Sequence, residues 1–368
     1  MILVAAGYVG YKYVYPRWKT RPPPASGGEL QVHVLDVGPD NGDSILIIAP
    51  GGKSVLIDAG NAGKGKVLLD ALKRYNVQQL DYFVATHPHP DHIGGADEVI
   101  KAVKVLNVID NGLGPDLPES LAAQSKTEAA TAGKPAPKRS DKPAARFSVT
   151  KFYDEYKEAI TQSGAHYEKA QAGIKYDLGA GARLTTLAPI EPLFTKEHTK
   201  TGGNPANANS VVMRLDYGEF SMILPGDAEE QTEHRMLSRD LNLNVKILKI
   251  AHHGSKYATS QAFLDRVKPG VAIISCGEWN RYGHPSQVVL DRLKAGNTKV
   301  YRTDLQGEIT ITTKGREADF VIKTTKEAKS DVWLGRAAQK DDSSRSGFIA
   351  YGDFGPPPKA KQVNSNSK

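Results

Sequence analysis

The chain has a single cysteine, Cys276, among its 368 residues, so no disulfide can form within it. That excludes a small domain stapled by disulfides, and a chain of this length can bury a substantial core without one. It also lacks a full-length spanning segment at its start. The opening stretch MILVAAGYVGYKYVYP loses its apolar character near Gly10, short of the ~20 residues a transmembrane helix needs. No basic region precedes it, as one would in a secretory signal peptide. The segment reads as the remnant of a membrane anchor, with RPPPASGG as a stiff-then-flexible linker, and membrane association through the N-terminus is the expectation. There is no aromatic–basic recognition motif of the kind single-strand binders use. What the chain does have in excess is positive charge: 48 Lys and Arg against 41 Asp and Glu, a net charge of +7 and a pI near 9.1. This mildly favours an anionic partner such as nucleic acid or a phosphate-rich polymer.

From Leu30 the pattern is one of short strands. LQVHVLDVG alternates, SILIIAP and KSVLIDAG follow, and PGG marks the turn between them. GKVLLDALKRY is a predicted helix with Val67, Leu68, Leu72 and Tyr75 near one face. QLDYFVAT is a buried strand leading to His87, ADEVIKAV a helix and VLNVIDNG another strand. Residues 117–146, rich in Ala, Lys, Pro and Ser, read as a mobile insertion. KFYDEYKEAI resumes as an amphipathic helix with Phe152, Tyr156 and Ile160 four apart. A second half starts at ARLTTLAP. SVVMRLDYG and FSMILPGD form a hairpin, and strand–helix units run on to GEITITT. Paired strands followed by strand–helix units, twice over, predict two sheets face to face with helices outside: an α/β, four-layer αββα sandwich. The predicted organisation is a linker region at 1–29, one domain at 30–320 and a basic, disordered tail at 321–368.

The densest chemistry lies in ATHPHPDHIGG, residues 85–95. His87 and His89 each precede a proline, which disfavours the helical region for both. In an extended chain, residues two apart share a face, so these two imidazoles can pinch one ion. Asp91 and His92 follow where the chain must turn, and can face a second ion; Ile93-Gly94-Gly95 is read as permissive backbone for that turn. Imidazole and carboxylate suit zinc, manganese or iron. Distant partners are available. Asp227 ends FSMILPGD and can bridge two ions, His252 and His253 end VKILKIAHHG, and Asp58 ends VLIDAG. Each has a plainer reading: Asp227 as a helix N-cap, His252 as a satisfied buried histidine, Asp58 as a hydrogen-bond partner of turn amides or of ligand imidazoles. His33, His166, His198 and His234 carry no pattern, and Cys276 reads as core.

HPHPDH followed by PGD and HHGS resembles the metallo-β-lactamase superfamily. DVGPDNGDSILI, NANSVV, ILPGDAE, LKIAHHGS, RYGHPS and YRTDLQGEI, in that order from about Leu30 to Thr313, make the sequence similar to the hydrolase domain of ComEC/Rec2-type competence proteins and their stand-alone relatives. The resemblance implies a dinuclear centre for two divalent ions, Zn2+ or Mn2+. His87 and His89 would hold the first, Asp91 and His92 the second, and Asp227 would bridge. One of the tandem histidines, with a preference for His253, would complete the second site while His252 faces substrate, and Asp58 would stand behind. Two departures are visible. Asn207 and Asn209 stand where many members have a further histidine, which argues against β-lactamase activity. Pro39, Asp40 and Asn41 replace a glutamine in the early loop, and that loop is expected near the site's rim.

The chemistry implied is phosphodiester hydrolysis, a phosphodiesterase or nuclease using metal-activated hydroxide, with DNA as a candidate substrate. Asp91 would hold or take a proton. His252, Asn209 and Ser210 would bind phosphate oxygens, and His284 of YGHP would protonate the leaving group. Asn209 has an equal reading as a turn amide, and His284 as a loop histidine ordering its turn. Two other classes stay open: hydrolysis of an amide, lactone, thioester, small ester or cell-wall phosphocholine ester, and a non-catalytic metal-binding module of the same fold.

Overall fold

The computed structural model describes residues 28–115, 146–195, 198–199, 205–280, 282–316 and 319–336. The expected N-terminal anchor, the core of the 117–146 insertion and the last part of the tail lie outside these residues. Among the described residues, no helix is long and apolar enough to cross a membrane.

Strands β1 (Leu30–Val34), β2 (Ile45–Ile48), β3 (Ser54–Ile57), β4 (Gln79–Val84), β5 (Lys104–Asp110) and β6 (His166–Lys169) come from the first half. The second supplies β7 (Lys175–Gly179), β8 (Ala182–Ala188), β9 (Val212–Tyr217), β10 (Phe220–Leu224), β11 (Ile247–Lys249), β12 (Val271–Ile274) and β13 (Lys299–Arg302). Strands β14 (Ile309–Thr313) and β15 (Val321–Thr324) then return to the first sheet. The sheets run β15-β14-β1-β2-β3-β4-β5-β6 and β13-β12-β11-β10-β9-β8-β7.

Period-two alternation sorts the side chains into layers. In β2, Ile45 and Ile47 join the core between the sheets, while Leu46 joins the core under the outer helices. In β10, Phe220, Met222 and Leu224 face the inter-sheet core, whereas Ile223 faces the helices on the other side. One outer layer is built by helices Gly65–Arg74, Ala96–Ala102 and Arg146–Ser163, and the other by Glu230–Leu237, Gln261–Val267 and Gln287–Ala295. The molecule is the four-layer αββα sandwich.

Several expectations need correction. Val67 is 41% exposed; helix Gly65–Arg74 buries Leu68, Ala71 and Leu72 instead. The second sheet begins at β7, ahead of ARLTTLAP, and β6 and β7 were missed because their alternating polar residues carry little apolar signal. The folded part does not end at 320: β15 pairs antiparallel with β14, and Arg302 donates to the carbonyls of Val332 (2.9 Å) and Leu334 (2.7 Å). Strand β15 is half-exposed and was legible only through its partner.

Glu308, just before β14, ties helix Gly65–Arg74 to this sheet. It accepts from Arg74 and the Tyr75 hydroxyl and faces His33 Nδ1 at 3.6 Å, while the His33 ring stacks on Tyr75 at 3.7 Å. Burial alone would raise this carboxyl; hydrogen bonds from His33 and Tyr75 and the Arg74 cation outweigh it and lower it. The stability it contributes is therefore present above the unfolded carboxyl value, ~4.3, and is lost as pH falls through the lower folded value. Urea midpoints of wild type and Glu308→Gln should differ at neutral pH and converge in acid. A constant gap across that range would refute the linkage.

Candidate metal centre

Strands β3, β4 and β5 are mutually parallel, and so are β10, β11, β12 and β13. Their carboxyl ends, and the loops that follow them, gather at one edge, where open α/β sheets place their sites. Because β9 is antiparallel to β10, its start lies at that same edge. This explains why residues so far apart in the chain meet.

Asp58 follows β3 with a left-handed backbone, φ 60°. Its Oδ1 accepts from the Thr86 amide (2.7 Å), and its Oδ2 accepts from the Thr86 hydroxyl (2.8 Å) and from His92 Nδ1 (2.8 Å). His89 is extended (φ −79°, ψ 147°), and the turn beyond it is one helical turn, Pro90–Ile93. His87 Nε2 lies 2.9 Å from His89 Nδ1, so the two rings share a face. The glycines after this turn act differently from the expectation. Gly94 is in ordinary helical space (φ −62°), but a Cβ there would sit 2.2 Å from the Ala62 nitrogen. Close approach, not conformational freedom, requires it.

Asp227 follows Gly226, whose φ is +56° and where a Cβ would lie 2.7 Å from Thr86 Cβ. The tandem histidines are both left-handed, His252 at φ 50° and His253 at φ 54°. For residues with a Cβ this conformation is strained, at about 1–3 kcal/mol each, and it splays the rings to an interplanar angle of 70°.

Four imidazoles surround the Asp227 carboxylate. Oδ1 lies 3.2 Å from His92 Nε2 and 3.7 Å from His253 Nε2; Oδ2 lies 3.6 Å from His252 Nε2 and 3.9 Å from His87 Nε2. Asp91 Oδ2 is 3.4 Å from His253 Nε2. His253 Nδ1 donates to the Ser275 carbonyl (2.9 Å), as His92 Nδ1 does to Asp58. These two rings are thus anchored through Nδ1 with Nε2 aimed at the centre, the usual arrangement behind metal-binding histidines. His92 Nε2, His253 Nε2 and Asp227 Oδ1 are buried and make no aligned hydrogen bond among the described residues. Such orphaned atoms are costly unless something else binds them. The sets His87–His92–Asp227 and Asp91–His92–His253 each offer atoms within 4.8 Å of one another. The donor set fits divalent cations.

Electrostatics agrees. Burial pulls His92 and His253 down, but carboxylates outweigh it: Asp227, Asp58 and Asp91 hold His92 well above its usual range, and Asp227 and Asp43 push His253 up to about 10. The field at the centre favours positive charge. His87, by contrast, is held well below its usual range by burial and by the neighbouring His92 and His89 rings.

Of the six expected metal ligands, His87, Asp91, His92, Asp227 and His253 fall into these sets; His89 adjoins them through His87. His252 sits at the mouth, its side chain 20% exposed, and burial holds it down to about 4. His284 is buried beside it, ring centroids 5.6 Å apart, and burial lowers it to about 3. That low value leaves its ring neutral near pH 7, suited to a neutral hydrogen bond. Ser210 Oγ is buried without a partner among the described residues. Asn209 needs correction as a phosphate ligand. Both its amide hydrogens go to backbone carbonyls, of Phe194 (2.9 Å) and Pro205 (2.8 Å), and its Oδ1 accepts from the Phe194 amide (2.9 Å). It pins a loop. Asn207 is the asparagine that reaches the site, with Nδ2 3.5 Å from His252 Nε2 and 3.3 Å from Glu229 Oε1.

Sequence reasoning missed Asp43 and Lys249. Lys249, in β11, is fully buried and pairs with Asp43, whose other oxygen lies 3.3 Å from His253 Nδ1. A lysine inside the apolar run VKILKIA was the available signal, since a charge there demands a buried partner. The early loop lies against the segment leading to His284: Pro39 O accepts from the Trp279 amide (2.8 Å) and Asn41 Oδ1 from the Gly277 amide (3.2 Å).

The family profile described as "Metallo-beta-lactamase superfamily" matches residues 37–181. The chain is 28% identical over 319 residues to ComE operon protein 3 of Bacillus subtilis (strain 168), covering 81% of this chain and 35% of that protein. It is 27% identical over 286 residues to Recombination protein 2 of Haemophilus influenzae, covering 76% of this chain and 28% of that protein. The chain thus spans about a third of the length of the curated relatives it matches. Among solved structures, a metallo hydrolase from Ignicoccus hospitalis KIN4/I aligns with TM-score 0.43 at 14% identity, over 77% of this chain and 98% of that one. The HPHPDH stretch lies inside the matched residues, and residues 37–181 are thereby assigned to a metallo-beta-lactamase superfamily domain.

Proposed function

We propose that this domain is a dinuclear metal-dependent phosphodiesterase, with a nucleic acid strand such as DNA as its substrate. The observation that carries this reading is the ring of four imidazoles around Asp227, whose unpaired atoms converge at one sheet edge. His87 and His89 would hold one ion, Asp91, His92 and His253 the other, and Asp227 both. Divalent cations bound there supply Lewis-acid charge and a water acidified toward neutral pH, both of which suit attack on phosphorus. Asp91 would hold the proton released as water attacks. His252, at the mouth, presents its ring to a phosphate oxygen, and the neutral His284 beside it donates a hydrogen bond toward the leaving oxygen. Asp58, through His92 Nδ1, and Ser275, through His253 Nδ1, keep two of the rings oriented without touching substrate. The net charge of +7 favours a polyanion.

The test is to assay the purified chain with manganese or zinc on a chromogenic phosphodiester and on single- and double-stranded DNA, beside Asp91→Ala. The expected result is metal-dependent cleavage that the substitution abolishes while circular dichroism stays unchanged. Equal activity in both proteins would remove Asp91 from the mechanism. Turnover of small carbonyl esters with no phosphodiester cleavage would replace the reading.

A further inference from the structure

Three aromatic side chains stand exposed on two loops beside the metal centre: Tyr257 (46%), Trp279 (50%) and Tyr282 (49%). What sets these three apart is their place, because all three lie on the loops that follow the site's own histidines or lead to His284. Tyr257 comes three residues after the left-handed turn of His252 and His253 ends at Gly254. Trp279 and Tyr282 lie on the segment running from Cys276 to His284.

The two loops are joined, and hydrogen bonds tie their backbones down. The Ser286 amide donates to the Gly254 carbonyl (2.9 Å), and a Cβ on Gly254 would meet Pro285 Cβ at 2.6 Å. Asn280 clamps its segment from within, donating to the carbonyls of Gly277 (2.8 Å) and His284 (2.6 Å) and accepting from the His284 amide (2.7 Å). The Trp279 backbone is held by Pro39. From solvent inward the rings form a stair. Tyr282 lies nearly parallel to His284, centroids 5.8 Å apart and planes 20° apart, and His284 lies nearly parallel to His253, at 6.4 Å and 21°. The Lys256 ammonium sits 5.1 Å from the centre of the Tyr257 ring, adding a positive charge at the same rim.

We propose that Trp279 and Tyr282, together with Tyr257 on the adjoining loop, form a stacking shelf for an unpaired nucleobase flanking the scissile phosphate. The domain therefore selects strands whose bases are free, single-stranded or frayed, over intact duplex. This rests on the phosphodiesterase reading above and deepens it. An aromatic face accepts any base, so the shelf reads strandedness and not sequence. In a duplex the bases are covered by their neighbours, and exposing one costs unstacking. A shelf held rigid by Asn280 needs no ordering when a base arrives.

The test measures binding apart from turnover. Fluorescence anisotropy is recorded with the metal-free full chain on a short labelled oligothymidylate and on an abasic strand of equal length. Wild type should bind the base-bearing strand roughly tenfold tighter. Trp279→Ala with Tyr282→Ala should lose most of that preference, while Trp279→Phe with Tyr282→Phe, which keeps ring faces, should retain it. Equal binding of both strands by wild type, or an undiminished preference in the double alanine variant, overturns the shelf. Cleavage with manganese, run in parallel, separates the two readings. Cleavage without base preference removes the shelf and leaves the hydrolase. Base-dependent binding without cleavage supports the shelf and removes the hydrolase.

Discussion

Asp227→Ala should lower both bound metal and phosphodiester hydrolysis, the latter by roughly a thousandfold or more. The size follows from geometry. Among the described residues, Asp227 is the one carboxylate within 4 Å of four imidazoles, with Oδ1 toward His92 and His253 and Oδ2 toward His252 and His87. No other side chain among the described residues reaches both halves of the cluster in that way. A cation stabilises charge in the transition state by several kcal/mol, and each 1.36 kcal/mol is about tenfold in rate. Losing the shared ligand removes that contribution for both ions together. Metal content after gel filtration and initial rates with added manganese are the measurements. If the variant holds its metal and keeps its rate to within about tenfold, Asp227 is not the shared ligand and the dinuclear reading fails.

Lys249→Met should destabilise the fold by about 3–5 kcal/mol, the cost of breaking a buried ion pair by removing one partner. Lys249 and Asp43 are both sealed from solvent, and each is the other's ion-pair partner. Burial alone would raise the Asp43 carboxyl, but the Lys249 ammonium and the His253 ring outweigh it and lower it. A carboxyl with a depressed folded value contributes its stability in full above the unfolded value and loses it only as pH falls through the folded one. The effect of Lys249→Met should accordingly be the same at pH 6 and pH 8. Adding Asp43→Asn should restore part of the loss, because neither charge is then left alone. Urea unfolding is read with a chelator present, so that metal binding does not add to the folded state's stability. A single variant within about 1 kcal/mol of wild type would mean that the pair is replaceable by apolar packing.

Much of this protein was legible before any coordinates. The strands LQVHVLDVG, SILIIAP and FSMILPGD stood out because short apolar runs bounded by turn residues mark buried strands. Prolines after His87 and His89 set the extended backbone that turns both rings to one face, because that restriction is local and steric. The strand-end positions of Asp58, Asp227, His252 and His253 marked one edge, because parallel strands carry their carboxyl ends together.

Tertiary structure decided the rest. β6, β7 and β15 have weak apolar patterns and exist through their pairing partners. Gly94 is required by the Ala62 backbone beside it, a neighbour thirty-two residues away that no local rule supplies. Asn209 and Asn207 look alike in NANSVV, yet one spends its amide on the Phe194 loop and the other reaches His252, a difference set by how that loop packs. The exposed rings of Tyr257, Trp279 and Tyr282 are scattered letters in the chain. Only the fold joins the two loops that carry them, through the Ser286 amide and the Gly254 carbonyl, because a contact across thirty-two residues is not written in the sequence around either end.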